Sequence, residues 1–403
     1  MSRVFVDSNI GYLGNIPNNW NVFRIKNAFE CEKNIVNDNW SNTQLLSLTT
    51  SGVKEKNIDN PNGKLPDSFD GYQYVEKNNI IMCLFDLDCS AVFSGISKYN
   101  GMISPAYKVL KCKEIMNPDY AGYYFNYISF DRKYMHYSKN IRYTLNYDEF
   151  SSLPMLIPPL EEQKKIASCL DKQCKKINEI ISDNNREIEL LEEYKSNIIT
   201  NQISKYPKVK MKFILAGIKD GTHGSYMRVN DGELLLSSKN LSESGVIISD
   251  NESMISEDDY LSIISNGFPQ KGDILFCSVG NVGKTCLYDF EKSYAFQRSV
   301  TFLRTNKLMK NKLLLYNTKS SFFKNSVTKS INKAIQDGLY MNQIKKLKVF
   351  LPDIVEQDKI IKYLDKQCSK LDSVIDYRKQ IIEKLEEYKR SLIYECVTGK
   401  REV

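Results

Sequence analysis

The sequence predicts a mixed α/β protein built as two similar halves, each a globular part followed by a long amphipathic helix. Three observations carry this reading. Blocks of sequence recur at one fixed offset, the best-matched blocks have an apolar period of 3.5 residues, and the regions before them hold short β-rich runs.

The recurrence is direct. Asp171-Lys172-Gln173-Cys174 returns as Asp365-Lys366-Gln367-Cys368, and Leu191-Glu192-Glu193-Tyr194-Lys195 as Leu385-Glu386-Glu387-Tyr388-Lys389, both 194 residues on. Glu162-Gln163 matches Glu356-Gln357 at the same offset. Upstream the likeness is fainter: Lys77–Ile81 aligns with Lys271–Leu275, and Tyr107–Lys111 with Val300–Arg304. The expected segments are 1–158, a first globular part; 159–203, a first long helix; 204–352, a second globular part; and 353–403, a second long helix with a tail.

Leu170, Ile177, Ile181, Ile188 and Leu191 lie on the first heptad seam, and Leu364, Leu371, Ile375, Ile382 and Leu385 on the second. Such stripes cannot stay exposed, and their shared length and register predict that the helices pair with each other rather than only with their globular neighbours. Asn184 with Arg378, and Lys195 with Lys389, put polar groups in both seams, where they can fix register. Pro158-Pro159 followed by Glu161-Glu162 forms one helix start, and Asp353 with Glu356 reads as a capping box for the other. Tyr206-Pro207 and Gly399 are the expected stops.

In the globular parts, Ile80–Phe85, Lys108–Leu110, Ile274–Cys277 and Ser299–Leu303 read as buried strands, and 119–130 and 307–325 as helices. The stretches 51–63 and 217–232 read as loops.

Composition narrows the function classes. The 403 residues allow two to four domains, and 42% hydrophobic with 26% charged residues describes ordinary globular protein. Two histidines and ten cysteines without a CxxC pair disfavour zinc and thioredoxin-like chemistry. The start Met1-Ser2-Arg3-Val4-Phe5 has no signal-peptide pattern and no run is long enough to span a bilayer, so a soluble, reduced, cytoplasmic protein is expected. Ser278–Thr285 looks like a phosphate loop but has Ser278 where the motif needs glycine, and a strand-like run follows it; a hairpin turn is the better reading.

Charge placement points elsewhere. Between Glu291 and Asp337 no acidic residue occurs, while Lys292, Arg298, Arg304, Lys307, Lys310, Lys312, Lys319, Lys324, Lys329 and Lys333 do. This suits a phosphate-facing surface, although about half of such lysines are ordinarily just a solvated face. In the first half Arg132, Lys133, Lys139 and Arg142 alternate with Tyr134, His136, Tyr137 and Tyr143, with Tyr143 more plausibly core. His223, Asn281 and Lys284 sit in glycine-bearing loops that let side chains approach base edges. Arg298, Lys324, Lys329 and Lys333 complete the candidate DNA contacts. No catalytic constellation is evident.

Longer blocks resemble a known family. Leu156–Gln163 and Phe350–Gln357 each open a long helix; Gly272–Phe276 runs into Ser278–Lys284; Ile103–Tyr107, Ile16–Trp20 and Val397–Lys400 complete the set. Together they resemble the specificity subunit of type I restriction–modification systems. That resemblance implies two target-recognition domains, each reading half of a split DNA site, and an antiparallel coiled coil that sets the spacing and docks two methyltransferase subunits. It also implies motor–nuclease restriction subunits as partners. S-adenosylmethionine, and ATP with magnesium, would then belong to the partners, with no cofactor and no catalysis in this chain. The first half has Asp86–Ser90 where the second has its Gly-Asn-Val-Gly-Lys turn, so the halves are expected to read different sequences. The competing reading is a coiled-coil scaffold with two protein-binding domains, which leaves the basic stretch unexplained.

Overall fold

The two heptad blocks become uninterrupted helices, Leu160–Ile203 and Ile354–Val397, each of 44 residues, or about 66 Å at 1.5 Å per residue. Pro159 precedes the first, and its carbonyl accepts the N–H groups of Glu162 and Gln163. The computed structural model describes residues 3–49, 52–58, 68–87, 94–130, 132–138, 143–331 and 338–403.

The helices pack against each other in antiparallel fashion. Asn178 accepts from Lys389 (2.8 Å), Asn184 from Arg378 (3.1 Å) and Asp372 from Lys195 (2.7 Å), so partner numbers fall on one helix as they rise on the other. Leu170, Ile177, Ile188, Leu364 and Ile375 are buried; Ile181, Leu191, Leu371, Ile382 and Leu385 are half-buried. Arg378 also pairs with Glu187 at 2.8 Å. The seam lysines take partners of their own rather than facing each other.

The chain divides into two compact units, Met1–Asp183 with Gln380–Val403, and Asn184–Lys379. Each therefore holds one globular part and a half of each long helix. In the first unit an antiparallel sheet runs in the order Phe29–Glu32, Lys108–Cys112, Ile80–Met82, Ser94–Ile96. Helix Pro118–Phe130 buries Tyr120, Tyr124, Phe125 and Ile128 in a core shared with Leu170, Ile177, Leu392 and Ile393 of the long helices.

The second unit repeats this order with Leu215–Asp220, Val300–Thr305, Ile274–Cys277 and Thr285–Leu287. Its core joins Ile274, Phe276 and Leu303 to Ile199, Ile203, Ile360 and Leu364. Each globular part is closed where it meets the helices by a strand pair: Asn21–Arg24 with Pro154–Ile157, and Lys208–Lys210 with Lys348–Phe350.

The repeated sequence blocks have repeated bonds. Gln163 is fully buried; its amide donates to the carbonyls of Pro158 (2.8 Å) and Ile115 (2.9 Å) and accepts from the Asn117 N–H (2.8 Å). Gln357 does the same with Pro352 (3.0 Å), Leu308 (2.8 Å) and Lys310 (2.9 Å). Asp171 and Asp365 accept from Tyr123 (2.7 Å) and Tyr316 (2.5 Å). The Leu-Glu-Glu-Tyr-Lys blocks supply the lysines, Lys195 and Lys389, that cross the helix pair. Each block is thus a fastening between helix and helix, or helix and globular part.

Four expectations need correction. The stretch 51–63 is not all loop: Gly52–Glu55 is a strand paired with Leu46–Thr49, while 59–63 lies outside the described residues. Leu215–Asp220, the start of the expected 217–232 loop, is a strand paired over its length with Val300–Thr305. The single helix expected over 307–325 is two, Asn311–Lys319 and Ser321–Ile331. Ser320 stands extended between them (φ −68°, ψ 148°), and its hydroxyl donates to Asn317 O and accepts from Phe323 N–H, ending one helix and starting the next. Glu356, expected in a capping box, is taken by Lys359 (2.6 Å) and Tyr206 (3.5 Å).

Candidate nucleic-acid interface

The strand order in the second unit brings three loops that carry sequence-predicted contact candidates to one end of one sheet. Strands Leu215–Asp220 and Ile274–Cys277 end there, and Thr285–Leu287 and Val300–Thr305 begin there. The connecting loops carry His223, then Asn281 and Lys284, then Arg298. His223, Asn281 and Arg298 are exposed and Lys284 is half-buried.

Backbone bonds stitch these loops together. Thr222 N–H donates to Phe296 O (2.7 Å), Arg298 N–H to Thr222 O (2.9 Å), and Ser278 N–H to Ser299 O (2.8 Å). Gly221 is needed for this closeness, since a Cβ there would overlap the carbonyl oxygens of Phe296 and Gln297. Beneath the loops, Thr301 Oγ1 donates to Asp220 Oδ1 (2.5 Å) and shares a short hydrogen bond with Ser278 Oγ. The Ser278–Thr285 segment is a strand–turn–strand hairpin, with Gly280 (φ 87°) and Gly283 (φ 93°) in conformations that other residues resist. Helix Ser321–Ile331 abuts this turn: a Cβ on Gly283 would lie 3.0 Å from Val327 Cγ1. Lys324 and Lys329 are exposed on that helix.

A fourth loop at this end was missed. Ser237–Glu252 reaches the same edge, where Ser238 N–H donates to Ser299 Oγ (3.1 Å). Glu252 is its anchor, accepting from Ser249 Oγ (2.6 Å) and Asn240 Nδ2 (2.7 Å) and pairing with Lys239 (2.8 Å). The Lys239 bond, with those from Ser249 and Asn240, holds the Glu252 carboxyl down at about 2. The capping box of Ser237 with Asn240 was the legible signal for this ordered turn.

The run without acids in sequence is not without acids in space. Lys292 pairs with Glu233 (2.6 Å), Arg304 with buried Asp273 (2.7 Å), Lys310 with Asp358 (2.5 Å) and Lys312 with Asp365 (2.7 Å). Lys319 donates to Glu243 O (3.0 Å), and burial lowers its pKa. Burial works against the Glu243 carboxylate, but Lys319, Lys195 and Lys324 outweigh it and keep the carboxyl below its usual range. Arg298, Lys307 and Lys329 are exposed and form no ion pair with a described residue. Lys333 lies outside the described residues.

In the first unit the equivalent sheet end gathers the loops after Glu32 and Met82 and before Lys108. The segment beginning at Arg132 returns to this end, where Leu145 N–H donates to Leu84 O (2.8 Å). Its counterpart, 194 residues on, is Leu339 N–H to Ser278 O (2.9 Å). Arg132 is exposed, and Lys133 Nζ sits 4.9 Å from the Tyr127 ring centre. Tyr134 must be removed from the contact candidates: it is 1% exposed, packed on Phe150 and Tyr137. Tyr143, read as core, is instead 37% exposed, in a left-handed conformation (φ 45°) that turns the chain back to the sheet. Lys139, Arg142 and the His136 side chain lie outside the described residues, as do Asp88–Ser90.

Two copies of one sheet, each with converging loops at one end and each fastened to a shared pair of antiparallel helices, define a duplicated, helix-linked architecture. The profile of the type I restriction modification DNA specificity domain matches residues 17–190 and 230–387, and the chain belongs to that family. A Haemophilus influenzae protein named as a type I restriction enzyme specificity subunit is 29% identical over 130 residues, 31% of this chain and 32% of that protein. The type I restriction enzyme MjaVIII specificity subunit of Methanocaldococcus jannaschii is 25% identical over 281 residues, 62% of this chain and 63% of that subunit. The chain thus matches less than two thirds of the length of either relative. A solved structure from work on complex assembly and conformational transition of the type I R-M system shares the fold, with a TM-score of 0.60 at 14% identity, covering 95% of this chain and 98% of that one. No helix among the described residues is long and apolar enough to cross a membrane, and no group of three or more described His, Cys, Asp or Glu residues could hold a metal ion.

Proposed function

We propose that this chain is a sequence-specific DNA-binding specificity subunit that performs no chemistry itself. Each globular part reads one half of a bipartite site through the loops at its sheet end, and the helix pair sets the spacing between half-sites. The helix pair also docks two methyltransferase subunits, to which restriction subunits add. S-adenosylmethionine, and ATP with magnesium, act in those partners, and the complex works in the cytoplasm.

The observation that carries this reading is the convergence of the His223, Asn281–Lys284 and Arg298 loops at one end of a sheet whose order the first unit repeats. Exposed cations beside ordered, glycine-shaped turns provide phosphate contacts and base-edge contacts in one surface. A scaffold for protein partners would not need them. The test is retention on double-stranded DNA at two salt concentrations, followed by mapping of methylated bases in cells carrying the chain and its methyltransferase. Binding that weakens steeply with salt, with methylation at a split site, supports the proposal. Salt-independent binding, or none, would return the scaffold reading.

A further inference from the structure

The 3₁₀ helix Asn37–Asn42 in the first unit presents an aromatic ring that its surroundings hold in place. Trp40 is 39% exposed and stacks on Phe69 at 5.1 Å between ring centres, with planes 28° apart. Phe69 in turn meets Tyr72 edge-on at 5.1 Å. Below them Val36, Leu45 and Met102 form a small separate core against which Phe69, Tyr72 and Tyr74 pack. Asn39 Nδ2 donates to the Tyr74 hydroxyl (2.9 Å), and Thr43 Oγ1 donates to Asn39 O (2.8 Å). The indole is therefore a supported platform that stays more than a third exposed. Exposed Asn37 and Asn42 flank it.

Its place in the fold is the loop end of the sheet. The segment follows directly on strand Phe29–Glu32, and Ile35 bridges Gln73, whose amide donates to the carbonyls of Ser104 (3.4 Å) and Tyr107 (3.0 Å) just before strand Lys108–Cys112. In the second unit the loop after the equivalent strand, Leu215–Asp220, is the His223 loop, and it leaves Met227 83% exposed. The repeat thus places a large, exposed apolar side chain at the same topological position twice. Retaining one such side chain on a surface is unremarkable; a ring backed by its own core and flanked by amides has the chemistry of a base contact, with asparagine matching the adenine edge and an apolar face matching a thymine methyl or deoxyribose.

We infer that Trp40, with Asn37 and Asn42, is a DNA contact of the first globular part. This rests on the DNA-reading proposal above. The difference between the native chain and Trp40→Phe, each bound to the methyltransferase and given the mapped duplex, offers a direct readout, because it cancels the partner's tryptophans and the other tryptophan of this chain, Trp20, is 4% exposed and donates to Glu162 (2.9 Å). DNA should shield Trp40 fluorescence from acrylamide, and Trp40→Phe, which keeps a ring on Phe69, should abolish that change. Trp40→Ala should weaken binding to the mapped duplex by about 5- to 150-fold, the range for losing one good base contact in a duplex, with the loss concentrated at one or two base pairs of one half-site. Tight DNA binding with Trp40 still fully quenchable would overturn the inference and leave the DNA-reading proposal standing. Shielding by the methyltransferase alone would also overturn it. Absence of any DNA binding would overturn both.

Discussion

Replacing Gln357 with Leu tests whether the glutamine at each helix start is the fastening between helix and globular part. Leucine fills nearly the same volume, so packing changes little. Three hydrogen bonds disappear, however: two to the carbonyls of Pro352 and Leu308, and one from the Lys310 N–H. The Pro352 bond is buried and the other two partly so. An orphaned buried backbone group costs about 1–3 kcal/mol, and water can relieve the partly buried ones, which gives about 2–4 kcal/mol in total. With a urea slope of about 2.5 kcal/mol/M for a unit of this size, the unfolding midpoint of the second unit should fall by about 1–1.5 M. Gln163→Leu should do the same to the first unit. The assay is urea denaturation followed by hydrogen exchange of the two sheets, which reports the units separately. A shift under about 0.3 M, worth less than 1 kcal/mol at that slope, would show that the repeated glutamine is incidental.

Three further outcomes are expected. Lys329→Ala, and to a lesser degree Lys324→Ala, should weaken binding to all DNA sequences alike and flatten the salt dependence by about one unit per true phosphate contact; Lys312→Ala, whose cation is already paired with Asp365, should leave the slope unchanged in the same titration. Glu252→Gln should destabilise the Ser237–Glu252 loop at neutral pH. Because the folded carboxyl lies at about 2, below its ordinary 4.5, the wild-type advantage should be complete above about pH 4.5 and shrink as pH falls toward 2, read as amide exchange of the loop. Gly221→Ala should force apart the loops bearing His223 and Arg298 and lower discrimination at the half-site read by the second unit, measured by competition over single-base variants; unchanged discrimination would show that those loops do not act together.

The helices were legible because a 3.5-residue period sustained over six turns has few other meanings, and the duplication told which helix partners which. Which bonds the duplicated residues form was not legible. Gln163 and Gln357 were visible as a match, but their role depends on carbonyls nearly fifty residues away, at Ile115 and Leu308. The basic run misled for the same reason. Glu233, Asp273, Asp358 and Asp365 are remote in sequence and adjacent in space, so four of the ten cations in a tract free of acids in one dimension are paired in three. Tyr134 and Tyr143 exchanged their expected places, and Arg132 and Tyr143 both take left-handed conformations that alternation of basic and aromatic residues cannot encode. Strand Leu215–Asp220 was hidden by its glycine and charges; pairing with Val300–Thr305 supplies the order that its own propensity lacks.

The central claim is that each globular part reads one half-site independently. The strand pair Lys208–Lys210 with Lys348–Phe350 closes the second part at its junction with the helices, so residues 208–350 can be exchanged for those of a relative with the helix pair intact. Methylated bases should then be mapped in cells carrying the exchanged chain and its methyltransferase. One half of the methylated sequence should change while the other half and the gap between them stay as they were. Changes in both halves, or in neither, would contradict that claim.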